Sequence, residues 1–186
     1  MHDGSGRTHI NRTIALIAAF IAISGGFAFS QTSAKPCWYS DQGDFSEHAN
    51  CLEWQGKEPL RVRGPHLNRL GFANDLAAVF NNEYGWMYVN KKGEVAIAGV
   101  ASMDNGPDEF RDGFVRYERN GKCGYATSGG PDAIIPQFDG CMPFERGKAR
   151  VCNGCRKESV GEYHTLNGGE WFCIDTKGKR VDCKPF

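Results

Sequence analysis

Two cysteines near the C-terminal end have the spacing best suited to chemistry. Cys152 and Cys155 flank Asn153-Gly154, a dipeptide that favours a tight turn because both of its residues tolerate positive φ. Thiols held together by such a turn form a disulfide, bind a metal or exchange electrons. We favour a disulfide, either within the turn or outward to Cys141 or Cys173.

A zinc site is the alternative for these cysteines. Two thiolates on a tight turn supply half of a tetrahedral ligand set. A redox-active pair is less well supported, because such pairs lie at a helix N-terminus after a βαβ pattern, which is absent around Cys152. The zinc alternative would draw its ligands from Cys141, Cys152, Cys155, Cys173 and His164.

The number and position of the cysteines favour disulfides in general. The chain has eight cysteines, and the first of them is Cys37. An even number indicates a disulfide framework in an exported protein, although eight cysteines allow about 105 connectivities. We predict a local Cys37–Cys51 pair. The disulfide candidates are Cys37, Cys51, Cys123, Cys141, Cys152, Cys155, Cys173 and Cys183.

Residues 1–30 have the pattern of a signal peptide. A basic segment precedes ten apolar residues at 14–23, and small residues then favour cleavage after Ser30 or, as a second option, after Ala34. The alternative is an uncleaved membrane anchor, which is less favoured because the apolar stretch is short for a span of about 30 Å of hydrocarbon. We therefore expect an exported chain, periplasmic or secreted, without a membrane span once the leader is removed.

Composition excludes several classes of function. The formal net charge is zero, so the basic surplus expected of a nucleic-acid-binding protein is absent. The sequence has no nucleophile elbow, P-loop, dinucleotide fingerprint or zincin helix. We therefore predict a protein that is not an enzyme and carries no cofactor. The 24 glycines separate short apolar runs, as in turn-rich β structure.

Internal repeats are the strongest pattern in the sequence. Residues 86–93 match residues 171–178 in chemical type, each an aromatic-led strand that ends in Asn or Asp and a Gly turn. Residues 110–117 match residues 144–151 in the same way. A unit of about 35–45 residues cannot bury its apolar face alone, so neighbouring units must stack.

These motifs resemble the bacterial WG-repeat family. The resemblance is carried by Gly85-Trp86, Asn90 to Gly93, Ile134 to Asp139 and Phe144 to Val151. It implies a β-rich repeat architecture and a role in recognition, and it brings no catalytic residues. The middle copy departs from the pattern at Tyr125, where Trp is usual. The repeat-motif residues are Gly85, Trp86, Gly93, Gly113, Gly124, Tyr125, Gly147, Trp171 and Gly178.

The predicted fold is all-β, with stacked hairpin or meander repeats, disulfides and a small N-terminal cap. The repeat domain is predicted at 84–186 and the cap at 31–83. The apolar residues of segment 71–80 fit neither the helical nor the strand period.

The resulting hypothesis is an exported, non-catalytic binding protein that recognises a protein or a cell-envelope component through its repeat surface. The alternatives are a secreted inhibitor or immunity-type protein, in which an insertion at about 156–168 enters an enzyme cleft, and a zinc or thiol protein. The insertion holds the candidate binding residues Glu158, Glu162, Tyr163 and His164. The recurring aromatics, mainly expected in the core, are Trp86, Tyr88, Tyr117, Tyr125 and Trp171.

Overall fold

The computed structural model describes Met1 and residues 33–103, 106–160 and 163–184. Apart from Met1, the predicted signal peptide lies outside these residues. The described chain is almost wholly β, which confirms the predicted fold class. It contains one short helix, α1 (Gly64–Leu67), and within the described ranges no helix is long and apolar enough to cross a membrane.

Seventeen strands make up the described chain. The first nine are β1 (Ser33–Asp41), β2 (Asp44–Gln55), β3 (Glu58–Val62), β4 (Leu76–Asn81), β5 (Gly85–Asn90), β6 (Val95–Val100), β7 (Ser102–Met103), β8 (Gly106–Pro107) and β9 (Phe114–Arg119). The others are β10 (Lys122–Thr127), β11 (Gly130–Phe138), β12 (Gly140–Cys141), β13 (Lys148–Asn153), β14 (Arg156–Val160), β15 (Tyr163–Asn167), β16 (Glu170–Asp175) and β17 (Arg180–Val181).

The strands form two main antiparallel sheets. The larger has nine strands in the order β11-β10-β9-β6-β5-β4-β1-β2-β3, and the smaller has the order β12-β13-β16-β17. Two separate hairpins, β7–β8 and β14–β15, complete the structure. Within these sheets three meanders repeat the same path: β4–β5–β6, β9–β10–β11 and β13–β16–β17.

An identical turn opens each meander. Two residues, three apart in sequence, exchange both of their backbone hydrogen bonds at 2.8–3.1 Å and form an isolated bridge. A phenylalanine precedes each turn, and the residues between the bridged pair have positive φ. The bridged pairs are Ala73 and Leu76, Arg111 and Phe114, and Glu145 and Lys148.

The first meander therefore begins at Phe72, inside the segment assigned to the cap from sequence. Its opening turn has Asn74 and Asp75 in the left-handed region, where the later copies end in Gly113 and Gly147. Asn and Asp tolerate this conformation better than other non-glycine residues. The substitution hides the repeat pattern in the sequence but leaves the turn unchanged.

A second turn recurs between the last two strands of the first and third meanders. The Asn90 side chain accepts hydrogen bonds from the backbone N–H groups of Lys92 and Glu94 at 2.9 and 3.1 Å. Asp175 accepts the equivalent bonds from residues 177 and 179, both at 2.9 Å. Gly93 and Gly178 close these turns with φ of 81° and 75°, a region that favours glycine.

The N-terminal half of the large sheet curls into a barrel. Its edge strand β3 meets the β5–β6 turn through a 2.7 Å hydrogen bond from the Val62 N–H to the Gly93 carbonyl and a bridge between Arg61 and Glu94. The enclosed core contains Cys37, Tyr39, Cys51, Leu52, Trp54, Val62, Leu70, Ala77, Val79, Met87 and Val89. Strands β1–β3 thus extend the large sheet beyond β4 and close it, together with the first meander, into the barrel.

Two further cores join the meanders to one another. Between the first and second lie Leu76, Ile97, Val100, Val115, Tyr117 and Ala126. Between the second and third lie Cys123, Tyr125, Ile134, Phe138, Cys141, Phe144, Ala149, Val151 and Ile174. Each unit therefore buries its apolar residues against a neighbour, as stacked repeats must.

All eight cysteines lie in four pairs at disulfide distance. Their Cα–Cα separations of 5.2–6.1 Å fall within the usual range for a disulfide. The pairs are Cys37–Cys51, Cys123–Cys141, Cys152–Cys155 and Cys173–Cys183.

Candidate functional site

The recurring aromatic residues divide into a buried and a surface group. Tyr117 and Tyr125 are buried, and burial raises the pKa of both hydroxyls, that of Tyr117 to about 12. Trp86, Tyr88 and Trp171 are only half-buried. Any binding surface built from the recurring aromatics must therefore use the second group.

Trp86 belongs to a cluster of four aromatic side chains on the outer face of the barrel, here called the aromatic strip: Trp38, Phe45, Phe80 and Trp86. Trp38 lies opposite Phe80 in the β1–β4 pair, and Phe80 lies opposite Trp86 in the β4–β5 pair. The ring centroids of these pairs are 6.0 and 5.2 Å apart. Phe45 is 52% exposed, and its ring centroid is 5.4 Å from that of Trp86.

The same cross-strand row continues from the strip into the protein interior. Trp86 lies opposite Val100, and Val100 lies opposite Tyr117. The last two residues are 5% and 2% exposed. Side chains in such a row are held by their cross-strand neighbours. The strip is therefore the surface end of a packed row and has a rigid support.

One acidic residue extends the strip on its other side. Glu47 lies opposite Trp38 in the β1–β2 pair, so both side chains are on the outer face, and Glu47 is exposed. A shallow groove of about 380 Å³ adjoins the β1–β2 turn. It is lined by Ser40, Gln42, Gly43, Arg69, Leu70, Gly71 and Ala78. Arg69 in this lining is ion-paired with Asp41.

The insertion with the predicted binding residues forms the β14–β15 hairpin. Glu158 lies on β14, where it accepts a 2.7 Å hydrogen bond from the Asn167 side chain. Tyr163 and His164 lie on β15, and Glu162 is outside the described residues. The sequence thus placed these residues on a loop, whereas the structure places three of them on paired strands.

The base of this hairpin is tightly packed. Cys152 and Cys155 are at disulfide distance across the turn, which agrees with the disulfide interpretation. Asp139 accepts a 2.8 Å hydrogen bond from the Gly154 N–H. The pKa of the Asp139 carboxyl lies below its ordinary value, mainly because the Lys122 side chain hydrogen-bonds to it and also because of this N–H. The hairpin therefore projects from a braced support.

The cysteines proposed as zinc ligands are all in pairs at disulfide distance. Cys141 is paired with Cys123, and Cys173 is paired with Cys183. A sulfur atom in a disulfide is not a thiolate and does not supply the ligand that zinc requires. Among the described residues no group of three or more His, Cys, Asp or Glu side chains is arranged to hold a metal ion.

Two histidines that look isolated in the sequence meet at one end of the barrel. The His48 ring stacks on Tyr39 with centroids 3.8 Å apart, and Nδ1 of His66 is 3.1 Å from the Tyr39 hydroxyl oxygen. Burial, then the charge of His48, lowers the pKa of His66. Ser46 Oγ lies 3.3 Å from Nε2 of His48. Both histidine rings pack against Tyr39, a residue of the barrel core, and we assign the cluster a structural role.

Comparison with known proteins identifies the repeat. Residues 133–154, which span most of β11, all of β12 and β13, match the family model described as the WG containing repeat. The chain is therefore a WG-repeat-containing protein, as the motifs at 134–139 and 144–151 predicted. No curated protein and no solved structure matches the chain significantly.

Proposed function

We propose that this chain is an exported, non-catalytic binding protein that recognises a protein or a cell-envelope component through the outer face of its β-repeat sheet. The aromatic strip carries the proposal. Phe45 in the strip is exposed, and its three aromatic neighbours are half-buried. Contiguous apolar side chains that remain accessible at the surface mark interaction sites. Tryptophan in particular is enriched among residues that dominate binding energy. Export is supported by the signal-peptide pattern and by four cysteine pairs at disulfide distance.

Site-specific photo-crosslinking in the cell that makes the protein tests this proposal. A photoreactive amino acid replaces Phe45 in the strip, and in a control chain it replaces Ile135 on β11. These side chains are similarly exposed, at 52% and 56%. We expect a discrete covalent adduct from position 45 that position 135 does not give. Equal adduct patterns from both positions would refute the proposal.

The braced hairpin favours a second candidate function, that of a secreted inhibitor or immunity-type protein. A loop held rigid before binding loses little conformational entropy when it enters a cleft. Here that rigidity comes from the Cys152–Cys155 pair and from the hydrogen bond that the Gly154 N–H donates to the Asp139 carboxylate. Replacing residues 158–165 by a short turn should abolish inhibition of a co-purified hydrolase. Unchanged inhibition would count against this function.

A further inference from the structure

We propose that the aromatic strip binds a proline-rich peptide segment that carries a basic residue, in the polyproline II conformation. This inference rests on the proposed binding function and specifies its ligand. It follows from four properties of the strip: the angles between its rings, its length, its position inside a sheet, and the carboxylate at one end.

The rings form a ridged surface. The ring planes of Trp38 and Phe80 make an angle of 71°, and those of Phe80 and Trp86 make an angle of 55°. Adjacent rings therefore enclose notches, whereas stacking of flat sugar rings along a glycan requires a row of exposed ring faces. Pyrrolidine rings fit such notches, and aromatic-lined grooves are the known docking surface for polyproline II segments.

The length of the strip matches one turn of this conformation. Trp38 and Trp86 are separated by one intervening strand, β4, which corresponds to about 9.6 Å at the usual strand spacing. A polyproline II helix has three residues per turn and rises about 9.3 Å over them. Prolines three positions apart on one face would therefore reach Trp38 and Trp86 together.

The position of the strip argues against docking by strand addition. Trp38, Phe80 and Trp86 lie on β1, β4 and β5, which are paired on both sides within the nine-stranded sheet, whereas Phe45 lies on β2. No strand edge is open at these three aromatic residues, so an added strand has no backbone partners beside them. The β2–β3 pairing covers only residues 52–55 of β2, so an added strand could pair only beside Phe45, at the end of the strip. A polyproline II backbone has no internal hydrogen bonds and remains solvated. It binds through its side chains and needs no sheet edge.

The charge beside the strip indicates a basic residue in the ligand. The exposed Glu47 side chain lies on the same face as Trp38. Among the described residues no lysine or arginine forms an ion pair with Glu47, whereas nearby Asp41 is already paired with Arg69. An aromatic ring face next to a carboxylate attracts lysine or arginine by cation–π and charge interactions. The basic residue would also fix the direction of the peptide.

Calorimetric titration of the full mature chain tests this assignment. The probe is a synthetic peptide with one arginine followed by proline at every third position, and a matched peptide has glutamine in place of arginine. A chitooligosaccharide serves as the glycan probe. We expect the arginine peptide to bind, and Glu47→Gln to weaken that binding about threefold to fivefold, as the loss of an exposed charge contact implies. Binding of the glutamine peptide should not change.

Two further variants keep the test decisive. Phe45→Ser removes an exposed ring, so it should fold normally and weaken both peptides, while Trp171→Phe, outside the strip, should leave both affinities unchanged. Failure of the peptides to bind, or binding that Phe45→Ser leaves intact, would overturn the assignment. Binding of the chitooligosaccharide alone would also overturn it but leave the proposed binding function standing. That function fails separately, if crosslinking at position 45 gives no specific adduct.

Discussion

The carboxylate of Asp108 accepts three hydrogen bonds from Arg116: from its backbone N–H at 3.0 Å, from Nε at 2.9 Å and from Nη2 at 2.7 Å. Asp108 is 3% exposed, so this ion pair is buried. The remaining Arg116 nitrogen, Nη1, donates to the Cys141 carbonyl at 3.1 Å. The pair therefore links the nine-stranded sheet to β12 in the smaller sheet.

Breaking this pair should destabilise the protein strongly. Asp108→Ala leaves the Arg116 guanidinium buried without its counter-charge, and we expect a loss of about 3–5 kcal/mol in the free energy of unfolding, measured by urea denaturation. The double variant Asp108→Leu, Arg116→Met removes both charges and should recover most of the loss. A single variant within about 1 kcal/mol of the native protein would contradict the prediction.

The two equivalent turn glycines should respond differently to alanine. Both Gly93 and Gly178 have positive φ, so each substitution costs about 1 kcal/mol in backbone strain. A Cβ atom at Gly93 would lie 2.7 Å from the Val62 carbonyl oxygen, whereas at Gly178 its nearest neighbour is an Ile134 side-chain carbon at 3.5 Å. Gly93→Ala should therefore cost about 1–3 kcal/mol more in unfolding free energy. Equal losses would show that β3 does not close on this turn.

The contribution of each disulfide to the free energy of unfolding should increase with the length of chain that it closes. The sequence separation is 14 for Cys37–Cys51 and 3 for Cys152–Cys155. On the loop-entropy estimate, replacing both cysteines by serine should cost about 3 kcal/mol for the first pair and about 2 kcal/mol for the second. Denaturant unfolding of the two double variants measures the difference. A larger loss for the hairpin pair would show that it stabilises more than its own turn.

Acid should weaken the barrel through His66. Burial and the charges of His48, Arg69 and Arg63 lower the pKa of His66 in the folded state. The unfolded chain, with an ordinary pKa of about 6.5, then binds a proton at higher pH than the folded chain does. The contribution of His66 to the free energy of unfolding is therefore fully present above pH 6.5. It should fall as the pH decreases toward 5, by at most about 1.4 kcal/mol per pH unit.

Urea midpoints measured between pH 7.5 and 5 test this prediction. In His66→Gln the slope over this interval should be smaller, because the titrating group is gone. Gln retains an amide that can hydrogen-bond Tyr39, whose hydroxyl oxygen lies 3.1 Å from His66 Nδ1. An unchanged slope would assign the pH dependence to other groups.

Export predicts a defined mass and no free thiols. The protein recovered from outside the cytoplasm should begin at Gln31, or at Lys35 for the second cleavage option, and should not react with a thiol reagent before reduction. Intact mass spectrometry and a thiol count check both points. A mass that includes residues 1–30 would contradict cleavage of the leader. Free thiols together with bound zinc would contradict the disulfide interpretation and favour the zinc alternative.

Local patterns in the sequence predict the turns and the strand type of this protein, whereas the candidate site depends on distant contacts. Residues 86–93 and 171–178 specify their turns within eight positions each. The opening turn at Asn74-Asp75 escapes the repeat pattern because two Asx residues replace the glycine-containing pair. Trp38 belongs to the aromatic strip only because β1 pairs with β4, and these two strands are not consecutive in the sequence. No local period encodes that contact, so the strip becomes visible only in the folded sheet.

Every cysteine pair at disulfide distance in this fold consists of two consecutive cysteines, the first with the second and so on to the seventh with the eighth. When such a chain emerges N-terminus first into an oxidising compartment, each thiol meets its native partner before the next pair has appeared. The cysteine pairs can then be oxidised in the order in which they emerge. Few of the many alternative connectivities can form, because later cysteines are not yet present when earlier pairs close. Maturation of this protein should accordingly depend on an oxidant but hardly on an enzyme that reshuffles mispaired bonds.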